Sequence, residues 1–247
     1  MKHLIGTFVI LLIAASSLHA QGNSFFIGAN AGTNFSKYKF TEDLQELYTR
    51  SSRSTGINGG FTAGLQLQNF TLTTGIQYMQ KGAKYETDNF TDTEGTGFFT
   101  ADEKLHFISI PVVVGYRLPL DYSFGLMLNM GPSFNLGLSG KVDEITEYFG
   151  SEDQSIENFT ILFGNGVNEE YRPVQVGFQF SPGFYVNINE NSKITFNATW
   201  DSGLNDAFNS RYKEANSFFD VNKGKQFFRS TVLTLGYEYH ISFSDQY

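Results

Sequence analysis

Five charged or titratable side chains stand out because they sit on faces that carry few other charges: Lys81, Arg117, Asp201, Glu238 and His240. Each lies on the polar side of an alternating polar and apolar pattern. Brought into one enclosed space, they would have to neutralise one another, because buried charge is tolerated only when paired. Arg117 and Glu238 fall near the same end of their segments, and an ion pair between them would act as a plug. Catalysis asks for more, namely a nucleophile and a base held together. Of the four histidines, His3 and His19 fall in the N-terminal leader. His106 has Ile108 two residues away on its own face, where a hydrolase would place a serine. His240 and Ser242 share a face, but at the inner end of the last segment. With no Cys there is no thiolate nucleophile and no thiolate metal site. No GxxxxGK[ST] or GxGxxG pattern opens a helix, and the acidic residues lack calcium-loop spacing. The expectation is a chain with no catalytic, cofactor-binding or metal-binding residue.

The elements that would position these residues are strands. VLTLGYEYHISF, Val232–Phe243, splits with a period of two into Leu233, Leu235, Tyr237, Tyr239, Ile241 and Phe243 against Val232, Thr234, Gly236, Glu238, His240 and Ser242. Seven earlier stretches do the same, near residues 24–36, 56–68, 70–85, 103–118, 122–138, 172–188 and 192–203. Before them, Lys2, the apolar run Leu4–Ala15 and the small residues ending at Ala20 read as a cleaved secretory signal. That run is too short for a spanning helix, which needs about 20 residues. Residues 1–20 are therefore read as signal peptide and 21–247 as one domain. The acidic net charge of -8 argues against nucleic acid, which demands clustered Lys and Arg.

Connection lengths alternate. Short turns at Gln68–Asn69, Pro119–Asp121 and Asn189–Asn191 are interleaved with long connections at 37–55, 86–102, 139–171 and 204–227. The polar faces are rich in Gly, Ser, Thr, Asn and Gln and poor in charge. They suit a tight lumen better than a solvated surface. The apolar faces then meet lipid, and closure satisfies every backbone N–H and C=O, which lipid cannot do. The predicted fold is all-β: an eight-stranded antiparallel up-and-down transmembrane β-barrel of the Gram-negative outer membrane. Both termini and the short turns would be periplasmic, and the long loops extracellular. Tyr116, Trp200, Tyr237, Tyr239 and Phe243 would form the interfacial aromatic girdle. The aromatics of the last strand also look like the signal read by barrel-assembly machinery during insertion.

Gly75-Ile-Gln-Tyr-Met-Gln-Lys-Gly82, Phe107-Ile-Ser-Ile-Pro-Val-Val-Val-Gly-Tyr116, Gly131-Pro132 and Ser181-Pro182-Gly183 resemble the PorT-like outer-membrane β-barrel family. Ser109 stands near where that family usually carries an acidic residue. The resemblance implies an eight-stranded outer-membrane barrel and carries over no catalytic residue. One member of the family is tied to protein secretion across the outer membrane.

The long loops hold the candidate contact residues Tyr148, Phe149, Phe208, Tyr212, Phe218 and Phe219, and Glu42–Leu47 could form a short helix. Exposed loop aromatics are where a barrel would meet a partner. The same aromatics could instead pack loop on loop, or belong to strands that run on beyond the membrane. The reading is a non-catalytic envelope protein whose loops are the working surface, in contact with outer-membrane lipid and with an envelope or secretion partner. The alternatives are a narrow channel for small solutes and a rim enzyme acting on lipid.

Overall fold

The structure, a computed structural model, describes residues 23–41, 50–91, 96–149, 154–215 and 225–242. The expected signal peptide, the Glu42–Leu47 helix, Phe218, Phe219 and Phe243 lie outside the described residues. Nine strands are described: β1 (Ser24–Phe40), β2 (Arg50–Leu67), β3 (Phe70–Thr91), β4 (Thr96–Pro119), β5 (Phe124–Tyr148), β6 (Gln154–Ile161), β7 (Val174–Asn187), β8 (Ser192–Gly203) and β9 (Gln226–Ser242). One short helix, α1 (Ser210–Ala215), precedes β9.

Eight of the strands close a ring. Each of β1 to β5 pairs antiparallel with the next, β5 then pairs with β7, β7 with β8, and β8 with β9. The seam is β1 against β9, running from Ser24↔Ser242 to Phe40↔Gln226 without a register shift. At the β2–β3 turn Gln68 takes φ 56°, the left-handed region. The Gln66 side chain donates to the Gln68 carbonyl at 2.8 Å and holds that turn.

The apolar parity of every ring strand faces outward. Phe61 is 74% exposed and Leu235 60%, with Leu72, Ile76, Val114, Phe178, Phe184 and Ile194 in the same belt. These are side chains for which water is the wrong neighbour and hydrocarbon the right one. The opposite parity packs inside and is mostly polar, as Asn34, Ser109, Ser133, Asn135 and Gln175 show.

The structure departs from the expected strand ends. A strand needs only about ten residues to cross a membrane, yet β4 has 24 and β5 has 25. Much of what was expected as loop at 86–102 and 139–171 is strand. β6 is an additional strand that pairs only with the upper half of β5, making a hairpin beyond the ring. Above the apolar belt the two faces exchange character. Lys37, Lys39, Lys84, Asp102, Lys104, Lys141, Asp143 and Arg229 now alternate with buried Tyr38, Phe40, Ala83, Tyr85, Ala101, Leu105 and Phe228. A sheet that leaves the bilayer must show polar groups to water and bury apolar ones, so the same period of two carries the opposite sign.

Replacing Leu235 by Arg puts a charge on the lipid face. Urea unfolding from lipid vesicles should show a loss of roughly 2–4 kcal/mol, whereas Thr234→Ser, on the lumen side of the same strand, should change stability little.

Candidate functional site

Arg117 on β4 is the centre of the lower lumen and is 1% exposed. Its guanidinium lies between the rings of Phe26 and Tyr185, at 5.1 and 5.7 Å. Those rings have room because Gly64 and Gly125 stand opposite them; a Cβ at Gly64 would strike the Phe26 ring, and one at Gly125 the Tyr185 ring. Arg117 donates to Glu238 at 2.7 Å and to the Gln66 side-chain carbonyl at 3.2 Å. His240 Nε2 lies 3.1 Å from Glu238 and 3.3 Å from Arg117, and its Nδ1 meets the Ser24 hydroxyl at 3.1 Å. Lys193 donates to Gln66 at 3.4 Å and sits over the Tyr185 ring at 5.2 Å. Five strands, β1, β2, β4, β8 and β9, thus hold one layer of paired charge across the barrel.

Higher up, Lys81 and Asp201 form a second buried pair at 2.6 Å, to which Ser133 donates at 3.1 Å. Lys81 also lies over the rings of Phe107 and Phe228. The five residues expected as one lumen cluster are therefore divided, with Lys81–Asp201 above and Arg117–Glu238–His240 below. The reason lies in the register: Glu238 pairs with Lys193 at the start of β8, whereas Asp201 is near its end. A cavity of about 100 Å3 lies within the lumen, lined by Arg117, Glu238, Asn30, Gln77, Asn129 and Asn197 among others.

Above the second pair the lumen ends in an aromatic plug. Glu103, 2% exposed, accepts hydrogen bonds from Tyr38 at 2.7 Å and from Tyr85 and Tyr171 at 3.1 Å. Gln226 donates to the hydroxyls of Tyr85 and Tyr171 at 3.4 Å. Around this carboxyl pack Phe40, Leu105, Phe107, Ile161 and Phe228. The chain after β6 folds over the plug through the bridges Phe163↔Tyr171 and Tyr171↔Phe208. The segment around α1 is tied down by Lys213–Asp206 at 2.6 Å.

Glu103 lies between the outward-facing Asp102 and Lys104, above the apolar belt. Burial pushes its carboxyl from the usual 4.5 up to about 7, with the three tyrosine hydrogen bonds pulling the other way and the Glu170 charge adding to the rise. Burial, then the Glu103 charge, holds the Tyr38 and Tyr171 hydroxyls well above their ordinary range, so both remain donors.

The chemistry open to these residues is pairing. Ser24, His240 and Glu238 do line up as a hydroxyl, an imidazole and a carboxylate. However, Arg117 occupies the same carboxylate and the same ring nitrogen, and Phe26 stacks on the imidazole at 5.1 Å. His106, on the outer face, hydrogen-bonds the Tyr78 hydroxyl through Nδ1. Among the described residues no group of three or more His, Asp or Glu side chains is placed to hold a metal.

The other expected residues are placed as follows. Trp200, Tyr237 and Tyr239 stand exposed on the outer face, and Tyr116 packs edge-on to Phe70 at 5.2 Å. Phe149 is exposed and meets Phe98 edge-on at 4.9 Å, while Tyr148 ends β5 opposite Gly97. Phe208 is taken up by the cap itself, stacked on Tyr171 at 5.1 Å beneath Lys213. Tyr212, on α1, is half-buried. Sequence reasoning missed Ser24, Gln66 and Lys193 in the lower layer. It also missed the whole Glu103 cage, although Tyr38, Tyr85 and Glu103 continue the inward parity of their strands.

A ring of eight antiparallel strands with an apolar outer belt and a side-chain-filled lumen defines a transmembrane β-barrel. The chain belongs to the outer membrane protein beta-barrel domain family, whose model matches residues 19–209, and it is a protein of the Gram-negative outer membrane. Short turns of such barrels are periplasmic, which puts the aromatic plug at the extracellular end. No curated protein matches the chain. Similar solved structures include Neisserial surface protein A, at 14% identity over 90% of this chain and 100% of that one, TM-score 0.43. The attachment invasion locus protein Ail of Yersinia pestis is similar at 12% identity over 89% and 99%, TM-score 0.36. OprG of Pseudomonas aeruginosa is similar at 12% over 91% and 98%, TM-score 0.43.

Two outcomes test the plugs. Arg117→Met should cost roughly 3–5 kcal/mol in equilibrium unfolding because it strips Glu238 of its guanidinium partner and leaves only His240 beside the buried carboxylate, and Arg117→Met with Glu238→Leu should recover most of that loss. Glu103 keeps its proton in the folded state at pH values where the unfolded chain has lost it. The stability due to Glu103 protonation is therefore complete below about 4.5, falls as pH rises through about 7, and is flat above. Comparing wild type with Glu103→Gln across that window should isolate a difference on the order of 3 kcal/mol.

Proposed function

We propose that this is a non-catalytic outer-membrane protein with a structural and interaction role, whose extracellular sheet and loops are its working surface. The single observation behind this reading is the lumen. It is crossed by the Arg117–Glu238 layer below and closed by the Glu103 aromatic plug above. Meanwhile β3, β4, β5 and β6 rise beyond the apolar belt and carry exposed Phe98, Phe149, Ile156 and Phe159. A small barrel packed this way conducts poorly, and its chemistry is presented on the outside. The sequence resemblance to PorT-like barrels supports a place in a secretion or transport assembly. Export by residues 1–20 and insertion by barrel-assembly machinery complete the proposal.

Planar-bilayer recording tests the lumen directly. Purified protein should show no steady conductance, and because the Glu103 plug closes the upper lumen independently, Arg117→Ala with Glu238→Ala should stay closed as well. Steady nanosiemens-scale steps from the wild type would replace this reading with the channel. One envelope protein co-purifying at equal stoichiometry, and lost when the β5–β6 hairpin is replaced by a short turn, would assign the assembly role.

A further inference from the structure

The outer face carries a feature that neither plug nor protruding sheet requires. Lys37 on β1 and Arg229 on β9 are direct cross-strand partners on the outward face. Lys104 on β4 and Lys141 on β5 are direct partners on the same face. Like charges placed directly opposite in a sheet repel and destabilise it. Lys84 and Lys104 share the one carboxylate of Asp102, at 3.3 and 3.6 Å. Among the described residues no carboxylate lies within salt-bridge distance of Lys37, Lys39, Lys141 or Arg229. These facing cations stand in a chain whose net charge is -8.

Their height is as particular as their pairing. Trp200 pairs with Thr231, and Thr231 with Phe35, which sets the upper edge of the apolar belt across three strands. Arg229 and Lys37 are the next outward residues on β9 and β1, about 7 Å further along the strands. On β4 the order outward is Ile108, His106, Lys104, with His106 bonded to Tyr78 on the neighbouring strand. Tryptophan, tyrosine and histidine mark the headgroup boundary. The cations therefore sit at the depth of the headgroups, just beyond the acyl chains. The acids Asp102 and Asp143 come one outward step higher still on β4 and β5. The exposed turns at the opposite end carry Asp121 and Glu190 instead.

We propose that this collar binds the phosphorylated headgroups of outer-leaflet glycolipid, with Lys37–Arg229 and Lys104–Lys141 as two phosphate clamps. A phosphate between two facing cations turns a repulsive cross-strand pair into a bridged one, and arginine adds paired donors to its oxygens. The same lipid places its acyl chains against the belt below, so the clamps continue an interface that the barrel already makes. The collar therefore fixes the vertical position of the barrel and gathers a shell of glycolipid around β9, β1, β4 and β5.

The test uses the full chain purified in detergent with a chelator present, so that divalent ions cannot bridge lipid to protein. Native mass spectrometry counts diphosphorylated lipid A added to the wild type, to Lys37→Gln with Arg229→Gln, and to Lys104→Gln with Lys141→Gln. The wild type should retain lipid A, and each double variant should bind about twenty-fivefold more weakly, at about fivefold per cation removed. Lys37→Arg should bind as the wild type does. On the wild type alone, dephosphorylated lipid A should bind at least about twenty-fivefold more weakly than diphosphorylated lipid A, an arm that uses no variant and so holds even if a variant misfolds. Equal retention by wild type and both variants, or indifference to removal of the phosphates, overturns the proposal. So does displacement of bound lipid A by inorganic phosphate alone, which would mark a soluble-anion site.

Discussion

The structure depends on the β1–β9 seam. In hydrocarbon an unpaired backbone N–H or C=O has no water to turn to, so a sheet with open edges cannot span a bilayer. Register-perfect pairing from Ser24↔Ser242 to Phe40↔Gln226 removes both edges at once. Everything inside follows from the ring that this seam closes. Eight strands make a lumen only wide enough for side chains, so whatever points inward must be packed and paired. Arg117 against Glu238 and Lys81 against Asp201 meet that demand, and glycines make space where rings must lie flat.

The barrel is also divided along its axis by solvent. Through the belt the lumen is polar and the outside greasy. Beyond it, Tyr38, Tyr85, Phe107 and Phe228 fill the inside, while Lys37, Lys84, Lys104 and Arg229 face out. The upper third thus has a core of the kind found in water-soluble β-proteins, with Glu103 as the polar group at its centre. One continuous set of strands serves two solvents, and the change of solvent is written in the reversal of face.

That reversal explains what could and could not be read in advance. The alternation of Val232–Ser242, the short turns and the lipid-facing parity were legible because each strand repeats one signature in the bilayer. The strand ends were not, since Lys37-Tyr38-Lys39-Phe40 breaks that signature while keeping its period. A rule that equates polar with inward takes such a stretch for loop. The Glu103 cage was lost for the same reason, as it assembles from the portions of β1, β3 and β4 beyond the belt and from a loop residue, Tyr171. Lys193 was overlooked for a different reason: it lies directly beside a turn, where a lysine ordinarily snorkels to water. The division of the charge cluster depends on register between β8 and β9, which alternation alone does not encode.

The seam has a further consequence in time. Ser24 and His240 meet across 216 positions of chain. Hairpins such as β2–β3 and β5–β6 join neighbours and can form early, because little loop entropy is lost in making them. The seam closes the longest loop in the chain, so it costs the most chain entropy to form. The lower charge layer draws Ser24, Glu238 and His240 from the two sides of that seam, so it is completed only on closure. Closure is thus the step at which the edges vanish, the buried charges find partners and the barrel becomes hard to reopen. Interactions completed only at closure slow the reopening of the barrel as well as adding to its stability.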